Sequence, residues 1–431
     1  MLKSNEAPDI RIEKPRLSVP ASLIIDDPAP CINPFYYYRL QVDREGAERH
    51  EPRIPLDFLE QFADVCRLQG MRGKFSVLPY PAGLGSILEG WEGCDRAELA
   101  AWLELARTRI SPHFDITPEI LTHTLALDLT TCALLPQSEH DWMTERRLDE
   151  LTRYMGAGLA ILKEAGFQPT GITQPVAFNG ARADYAQATL EAIRAIGGPP
   201  VTFFFIDGYF EGPPVPDHEV VLLDRERGTA VISILAYCND YFWPTQHITN
   251  QHAEQVVDGL ISADGHTGRL ADLADAGAWL TLVCHWQTLY SDGSREGLKA
   301  LDQVAGRLAR TYGSRLLWLT LSEIARYRAA SVGCTIDVHR STDAWMVDLD
   351  SPFDCPDFTL SLPADELSDV RINRVAHLID QGIETLSLAE AAPEGLLHAN
   401  SWRLDAERLT VCFDLRRGRQ TISIAPVCNL T

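Results

Sequence analysis

The sequence contains no run of Lys or Arg, and the chain as a whole is acidic. Across 431 residues, 60 Asp and Glu outnumber 38 Lys and Arg, a formal charge of −22. Nucleic-acid phosphates need positive charge on a partner, so binding to DNA or RNA is not expected. No stretch approaches the roughly 18 uncharged apolar residues of a membrane span. The opening MLKSNEAPDIRIEKPR has no apolar core and no small-residue cleavage site. No secretory signal is therefore visible, and the cytoplasm is the expected location. The ten cysteines form no C-x-x-C pair. That argues against a zinc ribbon or a thioredoxin-type site, and for buried thiols rather than a disulfide framework. There is no internal repeat and no low-complexity tract.

Apolar residues make up 45% and charged residues 23%, ordinary values for a folded globular chain long enough for two or three domains. Strand-like and helix-like runs alternate as far as about residue 330. Leu17 to Asp27 is a β-rich run that ends on two acids. Pro55 to Leu68 carries Leu56, Leu59, Phe62 and Val65 at helical spacing, and KFSVL over 74–78 reads as a short strand. Arg146 to Ala165 is amphipathic and closes on Gly166. VTFFFI over 201–206 and the run Trp279 to Cys284 read as buried strands, and Val220 to Tyr237 as a hairpin turning at Arg227-Gly228. This alternation predicts an α/β fold with a largely parallel sheet. About seven strand–helix units suit a closed or nearly closed (β/α) barrel, in which functional residues stand where strands end. After about Val332 short alternating runs are separated by Asp, Ser, Pro and Gly. The expected organisation is an extension over 1–16, a barrel over 17–330 and a small all-β, sandwich-like domain over 331–431.

Three features fall where barrel strands should end. Ile24-Ile25-Asp26-Asp27-Pro28 places adjacent carboxylates at the close of an apolar strand. Neighbours in an extended chain point to opposite sides, so one acid can hold a metal while the other reaches a substrate. Asp-Asp-Pro also suits a solvated turn. Pro118-Glu119-Ile120-Leu121-Thr122-His123-Thr124 is followed by Glu139-His140-Asp141-Trp142. Imidazole and carboxylate ligands suit a zinc-like ion, and His123 and His140 can join Asp27 if the intervening loop folds back. Leu282-Val283-Cys284-His285-Trp286 closes a late strand on a histidine whose pKa range suits it to give a proton to a leaving group.

Taken in order, these residues resemble the polysaccharide deacetylase family, the NodB-homology or carbohydrate esterase 4-like superfamily, over roughly residues 17 to 330. The resemblance implies a distorted barrel, a divalent metal with zinc first among candidates, and hydrolysis of N- or O-acetyl groups on a carbohydrate. It implies Asp26 as general base, Asp27 and His123 as metal ligands, His285 as general acid and Leu282 as part of an acetyl pocket. The match is divergent. The family's second metal histidine comes four residues after the first, where this chain has Leu127. The role is transferred to His140, with Asp128 and Asp141 as rivals. Gln174 stands where the family has an arginine that steadies the base, and Arg182 is the candidate substitute. The late motif carries one extra residue. Asp207 is the candidate to orient His285 and to meet substrate.

Aromatic residues cluster near the same strand ends, in Phe35-Tyr36-Tyr37-Tyr38 and Tyr241-Phe242-Trp243. Tyr37 and Trp286 are candidate sugar platforms, since aromatic faces stack on the apolar faces of sugars. The same residues could instead plug the barrel rim. Two alternatives to a deacetylase stand beside it. One is another metal-dependent hydrolase, a glycosidase or amidase, on a related barrel. The other is a carbohydrate-binding protein with a degenerate site.

Overall fold

The computed structural model describes residues 9–41, 50–175, 178–242, 250–341, 344–364, 372–379 and 384–426. They divide into two compact units. One comprises the described residues of 1–20, 223–229 and 326–431, and the other those of 21–222 and 230–325.

The larger unit is built on strands β1 (Val19–Asp26), β2 (Gly73–Val77), β3 (Phe114–Pro118), β4 (Gly171–Thr173), β5 (Val201–Gly208), β6 (Thr229–Ala236) and β7 (Leu280–His285). Every pairing among them is parallel: β7–β1–β2–β3 form one ladder and β4–β5–β6 another. Single parallel bridges, Glu119↔Thr173 and Cys238↔Leu282, join the ladders at both edges, so the pairings run in a ring. β1 is buried from Pro20 onward. A strand covered on both faces reads as a continuous apolar run rather than an alternation, which is the pattern of ASLII.

Parallel neighbours need crossovers, and here helices supply them. They include α1 (Leu56–Gln69), α2 (Leu148–Glu164), α3 (Arg182–Ala195) and α4 (Glu296–Tyr312). α1 buries Phe58, Leu59, Phe62 and Cys66, one stripe of the helix. It stops at Gly70, whose φ of 65° places its N–H on the carbonyls of Cys66 and Arg67. α2 packs so closely on the turn after β3 that a Cβ on Gly158 would lie 2.5 Å from the Ile120 carbonyl oxygen. Alanine is the better helix former by about 1 kcal/mol, but overpacking against backbone costs about 1–3. Gly158→Ala is therefore expected to destabilise the unit by up to about 2 kcal/mol. It should also speed amide exchange at Thr122 and His123, whereas unchanged exchange there would place the contact elsewhere.

In the smaller unit nine strands follow one path. In spatial order they are Arg11–Ile12, Cys355–Pro363, Arg408–Leu415, Ser401–Leu404, Glu384–Glu390, Ile372–Ile379, Gly418–Pro426, Trp345–Ser351 and Thr335–Arg340. The stretch set apart as an N-terminal extension thus contributes an edge strand, with Arg11 opposite Ser361 and Ile12 opposite Leu360. Two residues are too few to show an alternation in sequence. The strand Ile372–Ile379 has consecutive polar residues, Asn373 and Arg374, that break the alternation, and Ser401–Leu404 alternates over only four residues. The nine cysteines among the described residues are free thiols. No described helix is long and apolar enough to cross a membrane.

Candidate functional site

The C-terminal ends of the parallel strands open on a cavity of about 540 Å³. Asp26 closes β1, Glu119 follows β3, Gln174 follows β4, Asp207 lies near the end of β5, Asn239 follows β6 and His285 closes β7. All of them line it.

Asp27 follows β1 with φ 68°, a left-handed conformation that Asp tolerates better than most residues. Its N–H donates to Glu119 Oε2 at 2.7 Å, and Gln287 Nε2 donates to its Oδ2 at 2.5 Å. Its Oδ1 is buried, 2.9 Å from His123 Nε2, and has no aligned hydrogen-bond donor. Glu119 Oε1 lies 3.6 Å from His123 Nδ1, which likewise has no hydrogen-bond partner. The ligand atoms of Asp27, Glu119 and His123 all fall within 4.8 Å of one another.

The turn that carries His123 is strained. Ile120 and His123 have φ of 47° and 62°, and such backbone costs on the order of 1–3 kcal/mol unless its surroundings hold it. The buried carboxylate of Glu139 holds it by accepting the N–H groups of Leu121, Thr122 and His123 at 3.2, 3.0 and 2.8 Å. The Tyr154 hydroxyl donates to the same carboxylate at 2.8 Å.

Burial alone would lower the pKa of His123, but the charges of Asp27 and Glu119 push it up to about 10. Burial raises the pKa of Glu119, and the charges of Asp27 and Asp26 raise it further. Burial acts in the same sense on Asp27, yet His123 and the Gln287 N–H hold its carboxyl well below the usual range. Without a cation the centre carries its compensating charge as a proton on His123. Two buried carboxylates, one imidazole and two orphaned buried atoms are a donor set that fits a divalent cation.

Asp26 is ion-paired with Lys74, whose side chain is wholly buried on β2. The ammonium also donates to Ser76 Oγ at 2.7 Å and to the Ile25 carbonyl at 3.3 Å, so each of its protons has an acceptor. Across the ladder His285 is the register partner of Asp26. Its Nδ1 lies 2.7 Å from Asp240 Oδ2, which also accepts the His285 N–H at 3.0 Å and the Thr288 hydroxyl at 3.1 Å. Burial would lower the pKa of His285, but the Asp240 hydrogen bond and the charge of Asp27 raise it to about 10.

The remaining residues singled out in the sequence take other places. His140 is not in the three-ligand group. Its Nδ1 is 3.1 Å from Ser138 Oγ and its Nε2 is 3.1 Å from Asp141 Oδ1 at the cavity wall. Asp128 accepts the N–H groups of Thr130 and Thr131 in an exposed turn. Asp207 lines the cavity, but it pairs with Arg182 at 2.7 Å, and Asp240 is the acid that meets His285. Arg182 is also taken by Ser233 and Glu219, and Lys74 is the cation on Asp26. Gln174 accepts from the Tyr185 hydroxyl. Trp286 is fully buried, with its ring centroid 4.5 Å from Phe58, 5.3 Å from Phe62 and 5.4 Å from Phe75. It is core beneath α1 and no sugar platform. Tyr37 packs on Ala29, Ile32, Leu78 and Ala82, while Phe35 and Tyr38 line the cavity. Phe242 is fully buried, and Trp243 lies outside the described residues.

Leu282 is buried but does not line the cavity, whereas Val283 does. Side chains alternate along a strand, so a residue two before His285 shares its face and one three before does not. The extra residue in the late motif therefore passes the pocket position to Val283. Val283→Phe is expected to raise KM for substrate by about 10-fold or more, roughly the 1–3 kcal/mol of a misfitted methylene or larger group. Leu282→Ala should instead cost about 2–5 kcal/mol of stability and leave KM near wild type. The reverse pattern would restore Leu282 to the pocket.

Sequence reasoning gave no role to Lys74, Glu119, Glu139, Asp240 or Gln287. A lysine inside the apolar run of β2 was a signal, since lysine is almost never fully buried unless paired. Asp240 sits just past an apolar strand, as the chosen acids do. Glu139 and Gln287 carry no such mark.

No protein-family model matches the chain, and no curated protein does. Among solved structures, a Mycobacterium smegmatis protein assigned as a polysaccharide deacetylase is 14% identical, covers 75% of this chain and 93% of its own, and has a TM-score of 0.42. A glycoside hydrolase family 30 subfamily 8 xylanase from Clostridium acetobutylicum is 9% identical, covers 98% of each chain and has a TM-score of 0.29. The Thermotoga maritima alpha-fucosidase is 11% identical, covers 96% of this chain and 97% of its own, and scores 0.31. These names belong to enzymes that act on carbohydrates, but likenesses this loose decide nothing about fold or function.

Proposed function

We propose that the protein is a metal-dependent hydrolase that removes acetyl groups from a carbohydrate. The observation that carries this reading is the placement of Asp26 and His285 as register partners at the ends of adjacent parallel strands, beside the Asp27, Glu119 and His123 set in one cavity. Asp27, Glu119 and His123 would hold a divalent ion, which would supply Lewis-acid polarisation and lower the pKa of a water at the site. Asp26, with Lys74 against it, accepts the proton of the attacking water. His285, charged at neutral pH and oriented by Asp240, gives its proton to the departing amine or alkoxide. Asp26 and His285 approach from neighbouring strands, so acid and base work on the same acetyl group.

Phe35, Tyr38, Phe205 and Phe210 line the cavity and offer faces to a sugar ring. Asp26, Asp27, Glu119 and Asp207 line it too, and no Lys or Arg is among the described lining residues. A neutral or amino sugar suits this wall better than a polyanionic glycan.

The test is acetate release from N- and O-acetylated oligosaccharides by protein supplied with divalent metal. Release that disappears in Asp26→Asn supports the reading. New reducing ends without acetate would make the protein a glycosidase. Saccharide binding with neither product would make it a binding protein.

A further inference from the structure

We propose that Glu119 completes the cation site of Asp27 and His123, giving a centre of two carboxylates and one imidazole. This rests on the metal-dependent reading of the same cavity. Of the third ligands the sequence offered, His140 and Asp141 are engaged with each other and with Ser138, and Asp128 is held in an exposed turn by the N–H groups of Thr130 and Thr131. Glu119 is 2% exposed, a carboxylate oxygen of it lies within 4.8 Å of ligand atoms of Asp27 and His123, and its Oε1 is 3.6 Å from His123 Nδ1.

The second atoms of the two carboxylates explain why this is a built site rather than a chance group of acids. Asp27 Oδ2 is held by Gln287 Nε2, and Glu119 Oε2 is held by the Asp27 N–H. Each carboxylate thus has one oxygen fixed by a protein donor. The other faces the centre, and on Asp27, whose side chain is 2% exposed, that Oδ1 has no hydrogen-bond partner. Outer partners that orient first ligands in this way set the geometry of metal sites and their affinity. The two carboxylates neutralise a divalent ion, and an oxygen-rich set narrows the advantage that imidazole ligands give zinc over manganese.

The decisive measurement is X-ray absorption on the full-length protein loaded with one equivalent of Zn²⁺. One imidazole and otherwise oxygen scatterers are expected. A signal from two imidazoles would overturn the assignment in favour of His140. Calorimetry with Zn²⁺ and Mn²⁺ alone adds an arm that does not depend on activity. Glu119→Gln keeps the side-chain shape, and circular dichroism checks its fold. It should weaken both ions by more than the roughly 10–100-fold that an outer partner is worth, while His140→Ala binds as wild type. Wild-type affinity in Glu119→Gln, with binding lost in Asp27→Ala, would overturn the role of Glu119 and leave the proposed activity standing. Failure of the wild type to bind either ion would overturn both.

Discussion

Replacing His285 with glutamine is expected to slow acetyl release by about 10²- to 10⁴-fold, the range that a positioned general acid contributes. The reason lies in a paired arrangement rather than in the histidine alone. Asp240 Oδ2 meets both the ring Nδ1 and the backbone N–H of His285, so one carboxylate fixes the ring's direction and favours its charged form. Asp240→Asn removes the charge and keeps the size. Loss of a neighbouring opposite charge lowers a histidine pKa by roughly 1–3 units. The variant should therefore keep activity at low pH and lose it at a lower pH than wild type on the basic side.

The same raised pKa makes the stability of the fold depend on pH. The His285 pKa is raised from its ordinary value to about 10 in the folded protein. Its stabilising contribution is complete below about pH 6.5 and is lost as pH rises towards that folded value. Denaturant titrations of the metal-free wild type should show stability falling between about pH 7 and 10, and Asp240→Asn should show a shallower fall. Identical pH profiles for rate and stability in the two proteins would remove Asp240 from this role.

Asp26, Asp27 and His285 could be singled out in the sequence because each ends an apolar run, and in a parallel α/β fold strand ends gather at one mouth. What the sequence hid was which side each neighbour faces. Leu282 and Val283 are equally apolar, and only the parity of their distance from His285 separates pocket from core. Tyr37 and Tyr38 are successive residues of one helix, so they point about 100° apart, and the identity of the two side chains cannot say which meets the cavity. Asp207 lies at the end of one apolar strand and Asp240 just past another. The choice between them is made by neighbourhood across the sheet, because the chain after β6 bridges to β7 at Cys238 and Leu282, while Asp207 meets an arginine from α3. Glu119 lies outside the family pattern, which looks four residues after His123, whereas the structure brings a carboxylate to the imidazole from four residues before it. A turn held in positive φ by Glu139 makes that possible.

Lys74→Met is expected to cost about 3–5 kcal/mol of stability, the usual penalty for leaving one member of a buried ion pair without its partner. The Lys74 side chain is 0% exposed and that of Asp26 8%, so water cannot replace the lost ammonium. Methionine fills most of the volume, which makes the charge rather than a cavity the cause. The double variant Lys74→Met with Asp26→Asn should recover much of the loss, because a neutral pair no longer buries an isolated charge. The difference between the double variant and the sum of the singles measures the coupling. Urea unfolding followed by tryptophan fluorescence reads it out, since Trp102 and Trp286 are both buried in this unit. An additive cycle would mean that the two groups do not act as a pair. The activity of the single variant adds a separate line. Asp26 next to methionine has lost the partner that positions its carboxylate, so kcat should fall more than KM changes. A structural defect alone would lower the amount of active protein and leave kcat of the folded fraction unchanged. Lys74 therefore ties stability to chemistry. The ammonium that makes a buried carboxylate tolerable in the barrel wall also fixes its position at the cavity mouth.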